Sequence, residues 1–126
     1  MRALIVLALI LAGVVYSDTN IVVRSKSNNV TLSFTELNKK DIRENCYLFF
    51  IYCPRKDSAY IKNIVKYYRR TYPDVEWMKV FVFSNKSKAG IKLPLSKDNL
   101  ACETAVYTFN KSTQCSKLMV GDTLIK

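Results

Sequence analysis

Two apolar runs bracketing an amphipathic helix constrain this chain more than any other feature. Residues 47–52 are Tyr, Leu, Phe, Phe, Ile and Tyr, and residues 77–83 form a second run broken only by Lys79. Runs of strand length that carry apolar side chains at every position suit strands buried on both faces. Pro54 ends the first run, and Asp57 or Ser58 can cap a helix behind it. Tyr60, Ile61, Ile64, Val65 and Tyr68 then recur at helical spacing, with Lys62, Lys66, Arg69 and Arg70 between them. The basic residues crowd toward the C-terminal end, where the helix dipole favours cations. Tyr72, Pro73 and Asp74 stop the helix. Strand, helix and strand of these lengths predict a βαβ unit with a parallel pair.

The remaining segments add strands around that unit. Residues 21–23 and 30–32 read as strand material, separated by polar residues 24–28. Ser33 and Glu36 have capping-box spacing, which predicts a short helix running to about Ile42. Residues 84–103 are basic and loose, with Gly90 and Pro94 and a single helical turn expected after Ser96. Residues 105–109 and 115–120, joined by a polar turn at 110–113, predict a hairpin. The expected fold class is α/β: a mixed β-sheet of four or five strands with flanking helices.

At the N-terminus, Arg2 precedes an apolar stretch over residues 3–15, followed by Tyr16 and Ser17. One positive charge, a short apolar core and a small residue at its end form the pattern of a cleaved signal peptide, here residues 1–17. The stretch falls short of the roughly 20 residues of a spanning helix, so no transmembrane anchor is expected. Residues 18–126 then make one secreted domain, with the lumen of the endoplasmic reticulum as the alternative compartment. In an oxidising compartment Cys46, Cys53, Cys102 and Cys115 default to disulfides, with three pairings open. The sequence has no histidine, and its cysteines lack the short paired spacing of a zinc site. Metal and imidazole-base chemistry is therefore poorly supplied, and neither a metal nor a cofactor is expected. Asn29, Asn85 and Asn110 open glycosylation sequons.

The formal net charge is +10, and Arg2 is the only charged residue in 1–17. Such an excess favours acidic partners, among them proteins, peptides and glycosaminoglycans, although solubility explains it equally well. Tyr67, Tyr68, Arg69 and Arg70 interleave aromatics and bases as single-stranded nucleic acid binders do. A helix surface accounts for them too, and secretion argues against nucleic acid. Arg55, Lys56 and Lys62 around a helix N-terminus would form an anion-attracting corner.

From Val30 to Val120 the order of elements resembles the thioredoxin-like superfamily. Residues 48–53 are similar to the family's central strand leading into the active-site helix. Residues 72–82 resemble its helix end and following strand, and Thr104 to Phe109 with Lys111 the strand after its cis-proline. In that register the four positions of the redox motif fall on Arg55, Lys56, Asp57 and Ser58, and the cis-proline position on Thr104. Both redox cysteines and the proline are thus missing, and the chain stops where the family adds a final helix. The resemblance implies that Thr104 helps line the old substrate groove, that a partner or a second copy covers the open sheet face, and that Cys102 lies close to the Cys53 turn. A Cys53–Cys102 bridge would fasten that turn shut, with Cys46–Cys115 as the second pair.

These readings point first to a non-catalytic binding or chaperone-like module, similar to the redox-inactive domains of the protein disulfide isomerase family. A second alignment makes Cys53, Pro54, Arg55 and Lys56 similar to the start of a glutaredoxin motif. Cys53 would then be a monothiol nucleophile, its thiolate stabilised by Lys56 and the helix N-terminus. A third reading is a disulfide-stapled extracellular effector that binds a host molecule.

Overall fold

The computed structural model describes residues 18–24 and 31–125; the expected signal peptide and Asn29 lie outside them. Seven strands form one sheet: β1 (Thr19–Arg24), β2 (Thr31–Arg43), β3 (Cys46–Tyr52), β4 (Trp77–Phe83), β5 (Glu103–Asn110), β6 (Cys115–Val120) and β7 (Thr123–Ile125). Helix α1 (Ser58–Thr71) joins β3 to β4, and α2 (Lys97–Cys102) precedes β5. The spatial order is that of the chain, β1 to β7. Only β3 and β4 run parallel, in the register Cys46↔Trp77 to Tyr52↔Phe83; the other neighbours are antiparallel. The α/β class, the parallel βαβ unit, the turn after Ser96 and the hairpin stand as expected. The sheet has seven strands where four or five were expected.

The helix expected over residues 33–42 is instead most of β2, a 13-residue strand. A capping box contributes on the order of 1 kcal/mol, whereas this segment pairs with β1 on one side and β3 on the other. Bulges between Glu36 and Asn38 and between Asp41 and Arg43 bend it along the way. Each residue of the expected box is used elsewhere. Residues 31–34 run past the end of β3, so their inner edge has no strand partner. There the Tyr60 hydroxyl accepts from Ser33 N–H at 2.7 Å and donates to Ser33 C=O at 2.9 Å. The Glu36 carboxylate accepts from the Tyr68 hydroxyl at 2.8 Å.

On one sheet face α1 seats Tyr60, Ile61, Ile64, Val65 and Tyr68 against Phe34, Phe49, Ile51, Met78, Val80 and Val82. The Phe49 and Tyr68 rings lie 4.4 Å apart, and Tyr72 closes the cluster 5.1 Å from Phe49. On the other face Phe50 stacks on Phe81 at 5.1 Å, with Leu48 and Phe83 beside them. Among the described residues no helix of α1's length covers this face. The segment 84–102 does so, packing Ala89, Leu95 and Cys102 onto the aromatics. Asn38 pins it by donating to Ile91 C=O at 2.6 Å. A Cβ at Gly90 would meet Leu95 Cδ2 at 2.5 Å, so the Leu95 side chain packs directly over this glycine.

Burial sets two expectations for stability. Phe49→Ala removes a fully buried ring and is expected to cost about 3–5 kcal/mol in denaturant unfolding. Tyr60→Phe leaves Ser33 N–H without its partner and should cost about 1–3 kcal/mol. Burial also raises the Glu36 pKa, against the opposing pull of the Tyr68 hydrogen bond and Lys39. A carboxyl raised on folding contributes stability that is full below its unfolded pKa and lost as pH rises through the folded one. Glu36→Gln should therefore gain stability relative to the parent protein between pH 4 and pH 7, as read from paired denaturation midpoints.

Candidate functional site

The expected anion corner at the start of α1 is largely neutralised. Asp57, the N-cap residue, takes the Arg55 guanidinium in a two-point pair, both contacts at 3.0 Å. The same guanidinium lies 4.2 Å from the centre of the Tyr60 ring. Lys56 is exposed beside it. Lys62 does not join the corner but lies one turn further on, along a different flank of the helix. Thr104 stands apart from all three, on β5, where its hydroxyl donates to Val82 C=O at 3.3 Å.

The four cysteines are free thiols. Cys53 N–H bonds to Phe83 C=O at 2.8 Å, and Ser84 N–H to Cys102 C=O at 2.9 Å, so the end of β4 lies between the two cysteines. Two strand spacings separate such positions by about 9–10 Å, beyond the reach of a disulfide. The side chains also enter different layers, Cys53 under α1 and Cys102 on the opposite face. Cys46 and Cys115 do share one end of the sheet, in the row Cys46, Trp77, Asn110 and Cys115. Three spacings, about 14 Å, keep them apart. The two expected bridges are not made, because β4 in one case and β4 with β5 in the other fill the gap. The closeness of residues 102–104 to the Cys53 turn, implied by the thioredoxin resemblance, fails for the same reason.

Cys53 itself is fully buried. Burial pushes its thiol pKa up, outweighing the downward pull of a backbone hydrogen bond from Arg55 and of the Arg55 charge. The lowered pKa that the glutaredoxin-like alignment requires is reversed. Lys56, its assigned helper, projects into solvent.

The nucleic-acid reading of residues 67–70 loses its aromatics. Tyr67 packs edge-on against Phe34 at 5.7 Å, and Tyr68 is buried on Phe49. Along the flank of α1 that faces β5–β7, Lys62, Lys66, Arg69 and Arg70 border a groove of about 430 Å³. Its wall and floor are Val65, Tyr107, Leu118, Ile125 and Ser116. Alternation along β5, β6 and β7 delivers these side chains to the helix-bearing face. Tyr107 and Ser116 satisfy each other's hydroxyls at 2.9 Å, which leaves the floor essentially apolar. The Arg69 guanidinium is held 3.5 Å from the centre of the Phe109 ring. Among the described residues no carboxylate lines the groove. The ion pairs Lys39–Asp41, Arg55–Asp57 and Lys86–Asp18 lie away from the groove.

Of the sequence-derived binding residues only Lys62 reaches this place. Lys66, Arg69 and Arg70 were legible as the basic flank of an amphipathic helix, but nothing in the sequence set them beside Tyr107, Leu118 and Ile125. Part of the floor depends on β7, which the sequence reading missed. Gly121 and Asp122, the two-residue turn before it, are a hairpin signal that could have found it. The sequon residues Asn85 and Asn110 make local hydrogen bonds. Asn85 Oδ1 accepts from both the backbone and the hydroxyl of Ser87, and Asn110 Oδ1 does the same with Ser112. Among the described residues no cluster of three or more Asp, Glu, Cys or His could hold a metal.

Thiol accessibility checks this arrangement. In the native protein Cys115, which is exposed, should alkylate with iodoacetamide at neutral pH, while Cys53 should react only after denaturation. Peptide mass mapping reads both; rapid native labelling of Cys53 would restore a nucleophile there. Compared with known proteins, the chain matches no protein family, no curated protein and no solved structure.

Proposed function

We propose that the protein is a secreted, non-catalytic binding module whose groove beside α1 receives an acidic partner. The observation that carries this reading is the lining of the groove: Lys66, Arg69 and Arg70 beside Lys62, an apolar floor, and no carboxylate among the described residues. Lys66 and Arg70 stand one helical turn apart on this flank, and like charges at that spacing repel, so the arrangement suits a site that an anion fills. Its volume lies within the range of ligand-binding clefts, about 300–1,000 Å³. The buried, proton-holding Cys53 supports binding over thiol exchange.

Kinship with redox-inactive thioredoxin-like domains is a finer reading of the same module. The βαβ unit and the β5–β6 hairpin speak for it, and the position of β4 between β3 and β5 speaks against it. The binding proposal does not depend on that kinship. Its partner class is an acidic protein, peptide or glycosaminoglycan.

Elution from heparin and from immobilised polyglutamate tests the proposal. Lys66→Glu with Arg70→Glu should release the protein from at least one matrix at clearly lower salt, with affinity down about tenfold or more, equivalent to 1.4 kcal/mol. Lys56→Glu with Lys97→Glu changes the net charge equally but lies away from the groove, and should elute close to the parent protein. Equal shifts in the two double variants would reduce the effect to net charge and refute a dedicated site.

A further inference from the structure

The groove has a shape as well as a charge, and the shape narrows the class of partner. Lys62, Lys66, Arg69 and Arg70 follow one another at intervals of four, three and one residues, which on a helix makes a single stripe. At 1.5 Å per residue the stripe is about 12 Å long. It runs parallel to the axis of α1 and stands above a shelf of sheet surface formed by Tyr107, Leu118 and Ile125. Six strand spacings give the sheet a width of about 29 Å, whereas one helix is about 10–12 Å across. On the β1–β2 side Tyr60 and Tyr67 fill the flank of α1 against Ser33 and Phe34. On the β5–β7 side nothing comparable fills it among the described residues, and the groove is what remains.

We infer that this groove docks an amphipathic helix of an acidic partner protein, laid beside α1 on the β5–β7 half of the sheet. The inference rests on the proposed anion-binding role of the groove and adds the conformation of the ligand. Neighbouring helices pack with axes about 8–10 Å apart, which sets a docked helix over Tyr107, Leu118 and Ile125. Leucine-sized side chains at intervals of three and four residues would enter the groove. Carboxylates along the adjoining edge, one turn apart, would meet Lys66 and Arg70 in the manner of helix-in-groove recognition. A flexible polyanion engages the stripe but has no use for the apolar shelf, and a small fatty anion has no use for four cations spaced over two turns.

The test uses the full chain, produced in a secreting host, and two fluorescein-labelled 16-residue peptides of identical composition. One repeats Leu at three- and four-residue intervals with Glu between; the other alternates Leu and Glu. By fluorescence anisotropy the helical-period peptide should bind at least tenfold more tightly than the alternating one, and circular dichroism should show its helicity rise on binding. Ile125→Asn should weaken that peptide severalfold, and Lys66→Glu with Arg70→Glu should weaken both the peptide and heparin retention. Equal affinity for the two peptides, with heparin retention intact, would overturn the helix inference and leave the anion-binding role standing. Displacement of the helical peptide by stoichiometric oleate would assign the shelf to a lipid anion instead. A groove-dependent dimer in sedimentation that excludes the peptide would assign it to a second copy. Retention on no polyanion and binding of neither peptide would remove both readings.

Discussion

The parallel pairing of β3 with β4 sets the rest of this structure. Two parallel neighbours need a crossover, and the crossover must lie on one face of the sheet. Here it is α1, anchored where the rings of Phe49, Tyr68 and Tyr72 meet. Once α1 is seated there, its two flanks are committed: Tyr60 and Tyr67 toward β1–β2, Lys62 and Lys66 toward β5–β7. Every other strand adds antiparallel to this central pair.

The two faces of the sheet are buried by different means. One carries the helix; the other is closed by the segment 84–102, which brings Leu95 and Cys102 onto the Phe50–Phe81 stack. This second cover explains why the two central strands read as apolar at nearly every position although only one face carries α1. A single helix cannot span seven strands, however, and the uncovered width falls on the β5–β7 side. The groove is therefore a consequence of sheet width, and its charge a consequence of which helix edge happens to face it.

Local signals failed where pairing outweighed them. Ser33 and Glu36 satisfy the spacing of a helix cap, but two flanking strands and the hydroxyls of Tyr60 and Tyr68 recruit the same groups. The cysteine pairs failed for a related reason. Compartment and count favour disulfides, but pairing is decided by which strand stands between two thiols, and strand order is a long-range property. Arg55 and Lys56 looked like an anion corner until Asp57, two residues from Arg55, claimed the guanidinium.

By itself the sequence determined the elements whose information is periodic and contiguous: two buried strands, one amphipathic helix with a basic flank, and the hairpin of β5 and β6. Apolar burial at fixed spacing encodes these within a few residues, because each side chain's face follows from the period of its own element. Only the tertiary structure decided the sequential order of seven strands, the face each cysteine enters, and the meeting of Lys62, Lys66, Arg69 and Arg70 with Tyr107, Leu118 and Ile125. Those facts join residues separated by roughly 40 to 60 positions, and no local period reaches so far. They are fixed by chain closure and strand pairing, where the free energy of many contacts selects one arrangement over others that satisfy the same local patterns equally well.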